Sequence, residues 1–360
     1  MDTLVVIGPT PPPFHGVAFS TRLVIDNPLL RHHFEVVHLD TSDRRSIENM
    51  GRWDVQNIGL GLRSLAKLLR VLPRKRGVTY LPLSETFGGF ARDSLFIWAS
   101  HVMGWKTAVH IRNSLFREFY GSQLRLAQWW IRRTLRIVTG VAVLGESLRP
   151  LMDGFVQGFR LVVVPNGTPE FKRPTVDEDH SLVLYLSNLC RKKGADHAVR
   201  SALIVAEQDT NARFVFAGGW ESTEIEEELR DLAWPLAGRL EFVGPVAGAE
   251  RARLMASARV LLFPVAWGEG HPRILLEALA AGLPVVTTNR ATISETIVDG
   301  ESGFVLDNPV PSELAARVLE VLHDDSLRAR LSVAARRRYL ERFTQERADR
   351  TIADWLTTLA

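Results

Sequence analysis

The sequence has a single cysteine and no long apolar run, and both features limit the classes of protein to which the chain can belong. Cys190 has no partner for an internal disulfide, which fits a reducing cytoplasm. The longest apolar stretches, such as residues 95–105, are interrupted by Ser100 and His101 and fall short of the ~20 residues that cross a bilayer. Residues 1–16 have no lysine or arginine ahead of their short apolar run, unlike a secretory signal. We therefore expect a cytoplasmic chain without a membrane-spanning helix.

The net charge of the whole chain is small, but the charged residues are unevenly distributed between its two halves. The formal net charge is +3, yet residues 1–170 carry 21 Lys and Arg against 13 Asp and Glu, a net +8. Residues 171–360 carry 23 against 28, a net −5. A basic half joined to an acidic half favours an anionic partner for the first half, but an uneven scatter of surface charges explains it equally well.

The length of 360 residues exceeds one comfortable hydrophobic core and predicts two domains. Runs rich in Val, Ile, Leu and Phe alternate with helical segments in two successive series, which is typical of βα units and parallel sheets. The first series of predicted strands comprises residues 4–8, 34–39, 78–83, 106–111, 140–144 and 160–164. The second comprises residues 181–186, 213–218, 240–244, 260–264, 283–288 and 303–307.

Residues 165–180 mix proline, glycine and charge without periodicity, and we interpret them as the linker. The predicted fold class is therefore α/β, with Rossmann-like, doubly wound parallel-sheet domains at residues 1–168 and 169–340. Ligands are expected in a cleft at the carboxyl ends of the strands. Only helical pattern follows Pro311, and residues 341–360 are a candidate C-terminal helix that crosses back to the first domain.

The segment 266–288 contains two glutamates, Glu269 and Glu277, on either side of a predicted helix start near Pro272, a residue that suits the first helical position. The free N–H groups at a helix start form a phosphate site. Carboxylates accept hydrogen bonds from sugar hydroxyls. Taken alone, the two glutamates are better explained as a surface residue and a favourable charge on the helix dipole, because glutamate pairs at this spacing are common by chance.

Further motifs in order make this segment resemble glycosyltransferase family 4. In that family a Glu, seven residues and a second Glu precede a small-residue helix and a Gly-x-Pro-Val-Val strand, matched here by Glu269, Glu277, residues 278–281 and residues 282–286. The resemblance continues, in the order of the chain, through residues 164–168, 187–194, 216–219 and 292–306. Several ordered motifs are a more specific indication than a single glycine pattern.

The resemblance implies a GT-B fold and a set of donor-binding residues. Glu277 would hold the ribose hydroxyls of a nucleotide, and Glu269 a hydroxyl of the transferred sugar. The backbone amides around Arg273 and Ile274 would face the distal phosphate, with Gly270 and His271 in the same turn. Pro272 offers no N–H there.

The block 187–194 corresponds to a family pattern in which an arginine and a lysine grip the diphosphate. Lys193 matches the lysine and is expected to be catalytic, because a departing diphosphate needs protein cations where no metal is present. Asn188 stands where the arginine is expected. Arg191 is a candidate replacement, although a solvated basic turn also explains it.

Candidate residues in the first half follow predicted strands. Gly16, in the loop 8–21, lets backbone approach a ligand. His110 ends a strand where the family places a histidine near the sugar and phosphate, although a strand-end histidine can also be a polar cap. Arg112, Asn113 and Arg117 are expected to be acceptor-side groups.

Two other enzyme classes fit less well. A metal-dependent transferase needs an Asp-x-Asp after a strand, whereas Asp177 and Asp179 lie in the charged linker. A dehydrogenase needs Gly-x-Gly-x-x-Gly after its first strand, whereas Gly8 is followed by Thr and three prolines after Pro9. A nucleotide-sugar epimerase on the same scaffold and a non-catalytic GT-B-like subunit remain as alternatives.

The resemblance implies a retaining glycosyltransferase that takes a nucleoside diphosphate sugar as co-substrate and needs no cofactor or metal. The acceptor is expected to be a glycan or a lipid-linked glycan, and no nucleic-acid partner is expected. The segments 61–77 and 124–138 combine Leu or Trp with Arg and Lys at helical spacing. Such helices bind anionic membranes or pack their apolar face on a sheet, so peripheral attachment at the inner membrane face is the weaker of two interpretations.

Overall fold

The computed structural model describes residues 1–12, 16–42, 55–74 and 76–360. Its internal contacts divide the chain into two units. The first unit comprises Met1–Asn166 and Glu346–Ala360, and the second comprises Gly167–Gln345. Residues 13–15 of the predicted phosphate loop and Lys75 of the basic segment 61–77 lie outside the described residues, as does the side chain of Arg74.

The first unit is built on a six-stranded sheet in which all described neighbours are parallel. The strands are β1 (Asp2–Gly8), β2 (Phe34–Asp40), β3 (Gly77–Leu83), β4 (Lys106–Ile111), β5 (Gly140–Val143) and β6 (Leu161–Val163). Their order across the sheet is β2-β1-β3-β4-β5-β6. Because helices cover both faces of a parallel sheet, its strands are apolar along their length, and β3 and β4 are buried at every position except their first residues.

Helices connect these strands, as right-handed βαβ crossovers require. They are α1 (Gly16–Asp26), α2 (Pro28–His33), α3 (Val55–Val71), α4 (Phe87–Val102), α5 (Phe116–Gly121) and α6 (Arg125–Ile137). Short 3₁₀ turns at Leu72–Arg74, Glu146–Met152 and Gly158–Arg160 complete the connections. Asn27 caps α2, since its side chain accepts from the N–H groups of Leu29 and Leu30.

The second unit has its own six-stranded parallel sheet. The strands are β7 (Leu182–Leu186), β8 (Arg213–Ala217), β9 (Leu240–Gly244), β10 (Val260–Phe263), β11 (Val285–Thr288) and β12 (Gly303–Leu306). Their order is β12-β11-β10-β7-β8-β9, so the chain leaves β7 in one direction and, from β10, continues in the other. Such a reversal of strand order is where open α/β sheets bind ligands, outside the carboxyl ends of the strands.

The helices of the second unit pack on both faces of this sheet and bury two apolar clusters. They are α7 (Ala195–Gln208), α8 (Thr223–Ala233), α9 (Gly248–Ser257), α10 (Arg273–Ala281), α11 (Ile293–Thr296), α12 (Pro311–His323) and α13 (Asp325–Arg342). Turns at Arg191–Lys193 and Trp234–Leu236 are 3₁₀ helices. Helix α10 ends at Gly282, whose positive φ of 65° suits a glycine after a helix.

The last helix, α14 (Gln345–Leu359), packs into the core of the first unit. Ile352, Ala353, Trp355 and Leu356 are buried among residues of β1, β3, β4 and β5. A Cβ added to Gly140 would lie 3.0 Å from the Leu359 side chain and 3.1 Å from Nε1 of Trp355, so the helix lies close against β5. The C-terminal segment therefore completes the core of the first unit.

The two chain crossings between the units lie side by side. The N–H of Thr168 donates to the carbonyl of Phe343 at 3.0 Å, and the N–H of Gln345 donates to the carbonyl of Thr168 at 2.9 Å. Thr168 and Thr344 thus form a parallel bridge within the second unit.

All twelve strands predicted from the apolar runs are present, with ends that differ by at most two residues. The two basic amphipathic segments are helices, but parts of their apolar faces are buried. In α3 and the turn after it, Leu68 and Leu72 are in the core, whereas Leu62 and Leu69 are exposed. None of the described helices is long and apolar enough to span a bilayer.

Candidate functional site

The predicted donor residues lie at the strand-order reversal of the second sheet. Strands β7 and β10 are neighbours there. Lys193 is in the turn that follows β7, and Glu269 is in the segment that follows β10. Because both strands run in the same direction, these segments leave the same edge of the sheet. The fold thereby brings together two residues that are 76 positions apart in the sequence.

Lys193 and Glu269 form an ion pair through Nζ and Oε1. Both side chains are largely shielded, with 30% of the Lys193 side chain and 11% of the Glu269 side chain exposed. Burial lowers the pKa of the Lys193 ammonium from its ordinary value, and the neighbouring Cys190 opposes this shift. The pair therefore places a cation and an anionic hydrogen-bond acceptor next to each other at the switch point.

Close backbone contacts fix the loop that carries Lys193. The N–H groups of Ala266 and Trp267 both donate to the carbonyl of Lys192 at 3.1 Å. Gly194 has a φ of +73°, and a Cβ there would lie 1.8 Å from the carbonyl oxygen of Pro264. A side chain at position 194 would therefore force the two loops apart, so the family-like Lys-Gly pair has a local structural reason.

Helix α10 begins at Arg273, one residue after Pro272. The predicted helix start near Pro272 is confirmed; Pro272 itself is the N-cap, with an extended ψ of 118°. No side chain caps the helix there. The first N–H groups of a helix have no partner within it, so the backbone around Arg273 and Ile274 has the character of an anion site. The Arg273 side chain instead donates from Nη1 to the carbonyl of Gly167 at 2.9 Å.

The turn between Glu269 and α10 is buried. Gly270 accepts a hydrogen bond from the Thr292 hydroxyl at 2.7 Å through its carbonyl. His271 is 6% exposed, and its ring lies edge-on to Phe343 with centroids 5.6 Å apart. These contacts hold the turn against α11 and the end of α13, which fixes the position of Glu269.

Glu277 lies one turn into α10 and is paired with an arginine that the sequence analysis did not identify. Arg251 of α9 donates to Oε2 of Glu277 from Nε at 2.9 Å and from Nη2 at 2.5 Å. A lone arginine in an ordinary amphipathic helix gives no indication of this contact, because it depends on how α9 and α10 pack.

Asn188, at the position where the family pattern has an arginine, and Arg191, its candidate replacement, are both exposed. The backbone carbonyl of Asn188 accepts from the Tyr185 hydroxyl at 3.0 Å, and the Asn188 side chain is exposed. Arg191 donates from Nη2 to Oε2 of Glu228 on α8 at 2.5 Å. With 63% of its side chain exposed, Arg191 is part of a solvated basic turn here.

In the first unit, His110 is fully buried among aromatic groups. Its Nδ1 lies 3.0 Å from the Tyr80 hydroxyl, and its ring lies edge-on to the rings of Tyr80 and Trp355, with centroids 6.2 and 6.3 Å away. Burial, with the charge of Arg112 as a second cause, holds the pKa of His110 well below its ordinary value. The imidazole is therefore neutral at physiological pH.

Arg112 forms hydrogen bonds both with Tyr80, which is the partner of His110, and with Asn166, the last residue of the first segment of this unit. Its Nη2 donates to the Tyr80 hydroxyl at 3.1 Å, and its Nη1 donates to Oδ1 of Asn166 at 2.8 Å. Because the hydroxyl oxygen accepts from Arg112, its own proton is available to Nδ1 of His110. That arrangement leaves the hydrogen of the neutral imidazole on Nε2. A hydrogen bond with the Val164 backbone partly opposes the fall in the pKa of His110.

The other predicted first-unit residues do not form one cluster with His110. Asn113 accepts from the N–H of Ser114 through its own side chain at 2.9 Å. Arg117 donates to the carbonyls of Pro150 and Asp153, which anchors the 3₁₀ segment. Gly16 begins α1, and an added Cβ there would meet nothing of the described chain within 4 Å.

Glu85 is a buried acid that the sequence analysis missed. It follows β3, and both its carboxylate oxygens are buried without a side-chain partner among the described residues. Burial raises its pKa to about 7; the Leu115 backbone N–H opposes this shift, and the charge of Glu118 adds to it. Leu115 lies between Asn113 and Arg117 in the chain, so Glu85 is close to the segment that these two residues bound.

Asp179 of the linker has a structural role. Its Oδ1 accepts from the N–H and hydroxyl of Ser181 at 3.0 and 2.6 Å, just before β7. Its Oδ2 lies 3.3 Å from Arg213. Across the part of the chain that the structure describes, no group of three or more His, Cys, Asp or Glu side chains is placed to hold a metal ion.

Comparison with known proteins relates the second unit to sugar transferases. Residues 168–338, slightly less than half of the chain, match the family described as glycosyl transferases group 1. The phosphatidyl-myo-inositol mannosyltransferase of Mycolicibacterium smegmatis is 38% identical over 104 residues, which cover 29% of this chain and 27% of that protein. The D-inositol 3-phosphate glycosyltransferase of Paenarthrobacter aurescens is 30% identical over 211 residues, 53% of this chain and 51% of its own. The matched segments thus span about a quarter to a half of these relatives.

Solved structures resemble the whole chain in fold. Anabaena HepE, solved in complex with UDP, superimposes with a TM-score of 0.77 at 17% identity over 99% of this chain and 100% of its own. Sucrose-phosphate synthase from Thermosynechococcus elongatus gives a TM-score of 0.77 at 14% identity over 99% of each chain. The predicted fold class, GT-B type with two doubly wound parallel-sheet domains, is confirmed.

Proposed function

We propose that the protein transfers a sugar from a nucleoside diphosphate sugar to a hydroxyl acceptor, in polysaccharide, lipid-linked glycan or glycoconjugate biosynthesis. The observation that carries the proposal is the Lys193–Glu269 pair at the strand-order reversal of the second sheet. It lies within the segment that matches glycosyl transferases group 1. The UDP in the HepE complex supports a nucleotide donor for the shared fold.

In this proposal the second unit holds the donor. The Lys193 ammonium binds the diphosphate, and the backbone at the start of α10, around Arg273 and Ile274, faces the distal phosphate. Glu269 accepts a hydrogen bond from a hydroxyl of the sugar, and Glu277 accepts from the ribose. Gly270 and His271 keep Glu269 in register with the helix start, through the contacts described above.

The reaction breaks the bond between the anomeric carbon and the diphosphate oxygen and forms one from the acceptor oxygen to the same carbon. We propose that it proceeds with retention on the front face, without a divalent metal and without a protein nucleophile. The acceptor proton passes to the leaving diphosphate. Lys193 stabilises the charge that develops on that leaving group, while Glu269 positions the sugar.

The first unit is assigned the acceptor. His110 is held at the carboxyl end of β4 with Arg112 beside it. Near the same unit's surface, α6 exposes Leu126 and Trp129 among its arginines. We propose peripheral attachment to anionic lipid at the cytoplasmic face of the membrane, which suits a lipid-linked glycan acceptor.

A donor panel tests this function. The full-length protein is incubated with UDP-, GDP-, ADP- and dTDP-sugars, with and without lipid-linked or free glycans, and nucleoside diphosphate release is measured. Acceptor-dependent release that survives a chelator, with an α-configured product from an α-configured donor, supports the proposal. Conversion of the sugar without acceptor indicates an epimerase, and no turnover of any donor indicates a non-catalytic subunit. An inverted product or loss of turnover on chelation contradicts the proposed mechanism.

A further inference from the structure

Arg251 is in the first turn of α9, and its side chain ends on Glu277 of α10. Two of its nitrogens, Nε and Nη2, donate to one oxygen, Oε2, at 2.9 and 2.5 Å. The contact spans 26 residues of sequence, and only 34% and 26% of the two side chains are exposed. The pair therefore joins two separate helices in a partly shielded position.

Some other ion pairs of the second unit stay within a single helix. Arg230 pairs with Glu226 at i,i+4 on α8, and Arg317 pairs with Glu320 at i,i+3 on α12. Such pairs stay within one exposed helix and contribute little to stability. Arg251 instead ends on the carboxylate that the proposed function assigns to the ribose.

Donation of both nitrogens to Oε2 has a consequence for Oε1. The two hydrogen bonds hold the carboxylate against rotation about its last torsion angle, which is otherwise broad. Oε1 receives no hydrogen bond from any described residue. One carboxylate oxygen has two acceptor positions, which is the number that a pair of neighbouring hydroxyls requires.

We propose that Arg251 is a positioning residue that presents Oε1 of Glu277 to the 2′- and 3′-hydroxyls of a nucleoside diphosphate. The inference rests on the proposed function, and it adds that Arg251 acts through Glu277 without itself touching the nucleotide. Preorganising an acceptor in this way strengthens binding because its orientation need not be fixed when the ligand arrives.

The proposal is tested by calorimetry on the full chain. The affinities for UDP, GDP and ADP are measured, together with the affinity for the 2′,3′-dideoxy form of each nucleotide. For whichever ribonucleotide binds, we expect Arg251→Gln to weaken affinity about three- to tenfold, as for one impaired hydrogen bond. Affinity for the dideoxy form should stay unchanged. Glu277→Gln should lower ribonucleotide affinity at least as much, and Arg251→Gln should add nothing in that background. Arg251→Lys, which keeps one donor, should restore part of the affinity.

Arg317→Gln is the matched control, because it removes an arginine–glutamate pair that stays within one helix, α12, of the same unit. This control should change neither the affinity for the ribonucleotide nor the affinity for its dideoxy form. Equal loss of both nucleotide forms in Arg251→Gln would show direct contact with the ligand and overturn the proposal, and so would unchanged affinity for both. If the unaltered protein bound none of the three ribonucleotides, the donor assignment itself would fail, a result distinct from either of these.

Discussion

The Tyr80 hydroxyl lies between His110 and Arg112, 3.0 Å from the imidazole Nδ1 of one and 3.1 Å from the guanidinium Nη2 of the other. Each of the three residues comes from β3, β4 or the position after β4. A single phenol oxygen therefore sets both the tautomer of a buried histidine and the direction of an arginine.

Tyr80→Phe removes this shared group without changing the ring. We expect a loss of about 1–3 kcal/mol in the free energy of unfolding, because buried polar atoms of His110 and Arg112 lose a partner together. Donor turnover should fall as well, because the resemblance assigns His110 a place near the sugar and phosphate. Tyr120→Phe is the matched control, since the Tyr120 hydroxyl accepts a hydrogen bond from Nε of the exposed Arg132. A loss no larger than that of the control would show that the Tyr80 hydroxyl does not order His110.

Lys193→Ala and Glu277→Ala should both impair use of the donor. Loss of a hydrogen bond to a charged group is worth ~1.5–3 kcal/mol, or about ten- to more than a hundredfold in kcat/KM. Lys192→Ala removes the neighbouring exposed ammonium and should leave kcat/KM within about twofold. Normal kcat/KM in either purified site variant would contradict the assignment of the donor site.

Asn188→Arg should strengthen diphosphate binding. The position is exposed, so the longer side chain fits without displacing a neighbour, and it adds the positive charge that the family pattern has there. We expect about three- to tenfold tighter binding of the nucleoside diphosphate product, which falls with rising salt. Arg191→Gln serves as comparison, since Arg191 is engaged with Glu228 and its loss should change affinity little. Unchanged affinity in Asn188→Arg would place this loop away from the phosphates.

Features formed by residues close together in the chain were predictable from the sequence. Contacts that form only when separate helices and strands pack together were not. The strands were evident because a strand buried on both faces is apolar throughout. Glu269 and Glu277 were proposed as donor-site residues because, with the motifs that accompany them in order along the chain, they resemble glycosyltransferase family 4. Arg251 and Tyr80 carried no such pattern, since their contacts depend on which helices and strands are neighbours. Glu85 was missed because burial of a single acid is invisible in sequence.

Glu85→Gln should change how stability depends on pH. The carboxyl has a pKa near 4.5 when unfolded and about 7 when folded. The folded state therefore favours the protonated form, and the unaltered protein loses stability between about pH 4.5 and pH 7. The glutamine variant lacks this loss, so it should be equally stable at pH 4 and more stable at pH 8, by at most about 3 kcal/mol.

Thermal unfolding of both proteins at the two pH values measures this difference. Glu207→Gln is the control, because Glu207 is an exposed glutamate on α7 of the second unit. A stability difference for Glu85→Gln that is the same at pH 4 and pH 8 would show that the carboxyl is not desolvated in the folded protein.

Membrane attachment is testable with vesicles. Trp129 and Leu126 are 62% and 77% exposed, whereas Trp130 packs against Phe90 with centroids 6.4 Å apart. Trp129→Ser should therefore weaken binding to anionic liposomes at low salt several-fold, through lost apolar burial. Leu340→Ser, an exposed leucine of the second unit, should not. Neutralising Arg74, Lys75 and Arg76 together should also weaken binding to anionic liposomes. Equal sedimentation with neutral and anionic liposomes would refute the attachment.

The packing of α14 against β5 has a consequence for how the protein is made. The ribosome synthesises the first sheet early, but Ile352, Trp355 and Leu356, which complete its core, emerge only after the whole second unit. Domains tend to fold as they leave the ribosome, in chain order. Here the order is inverted, because the unit that begins first is completed last. During translation the face of β4 and β5 that receives Trp355 therefore stays uncovered until the last helix has been made.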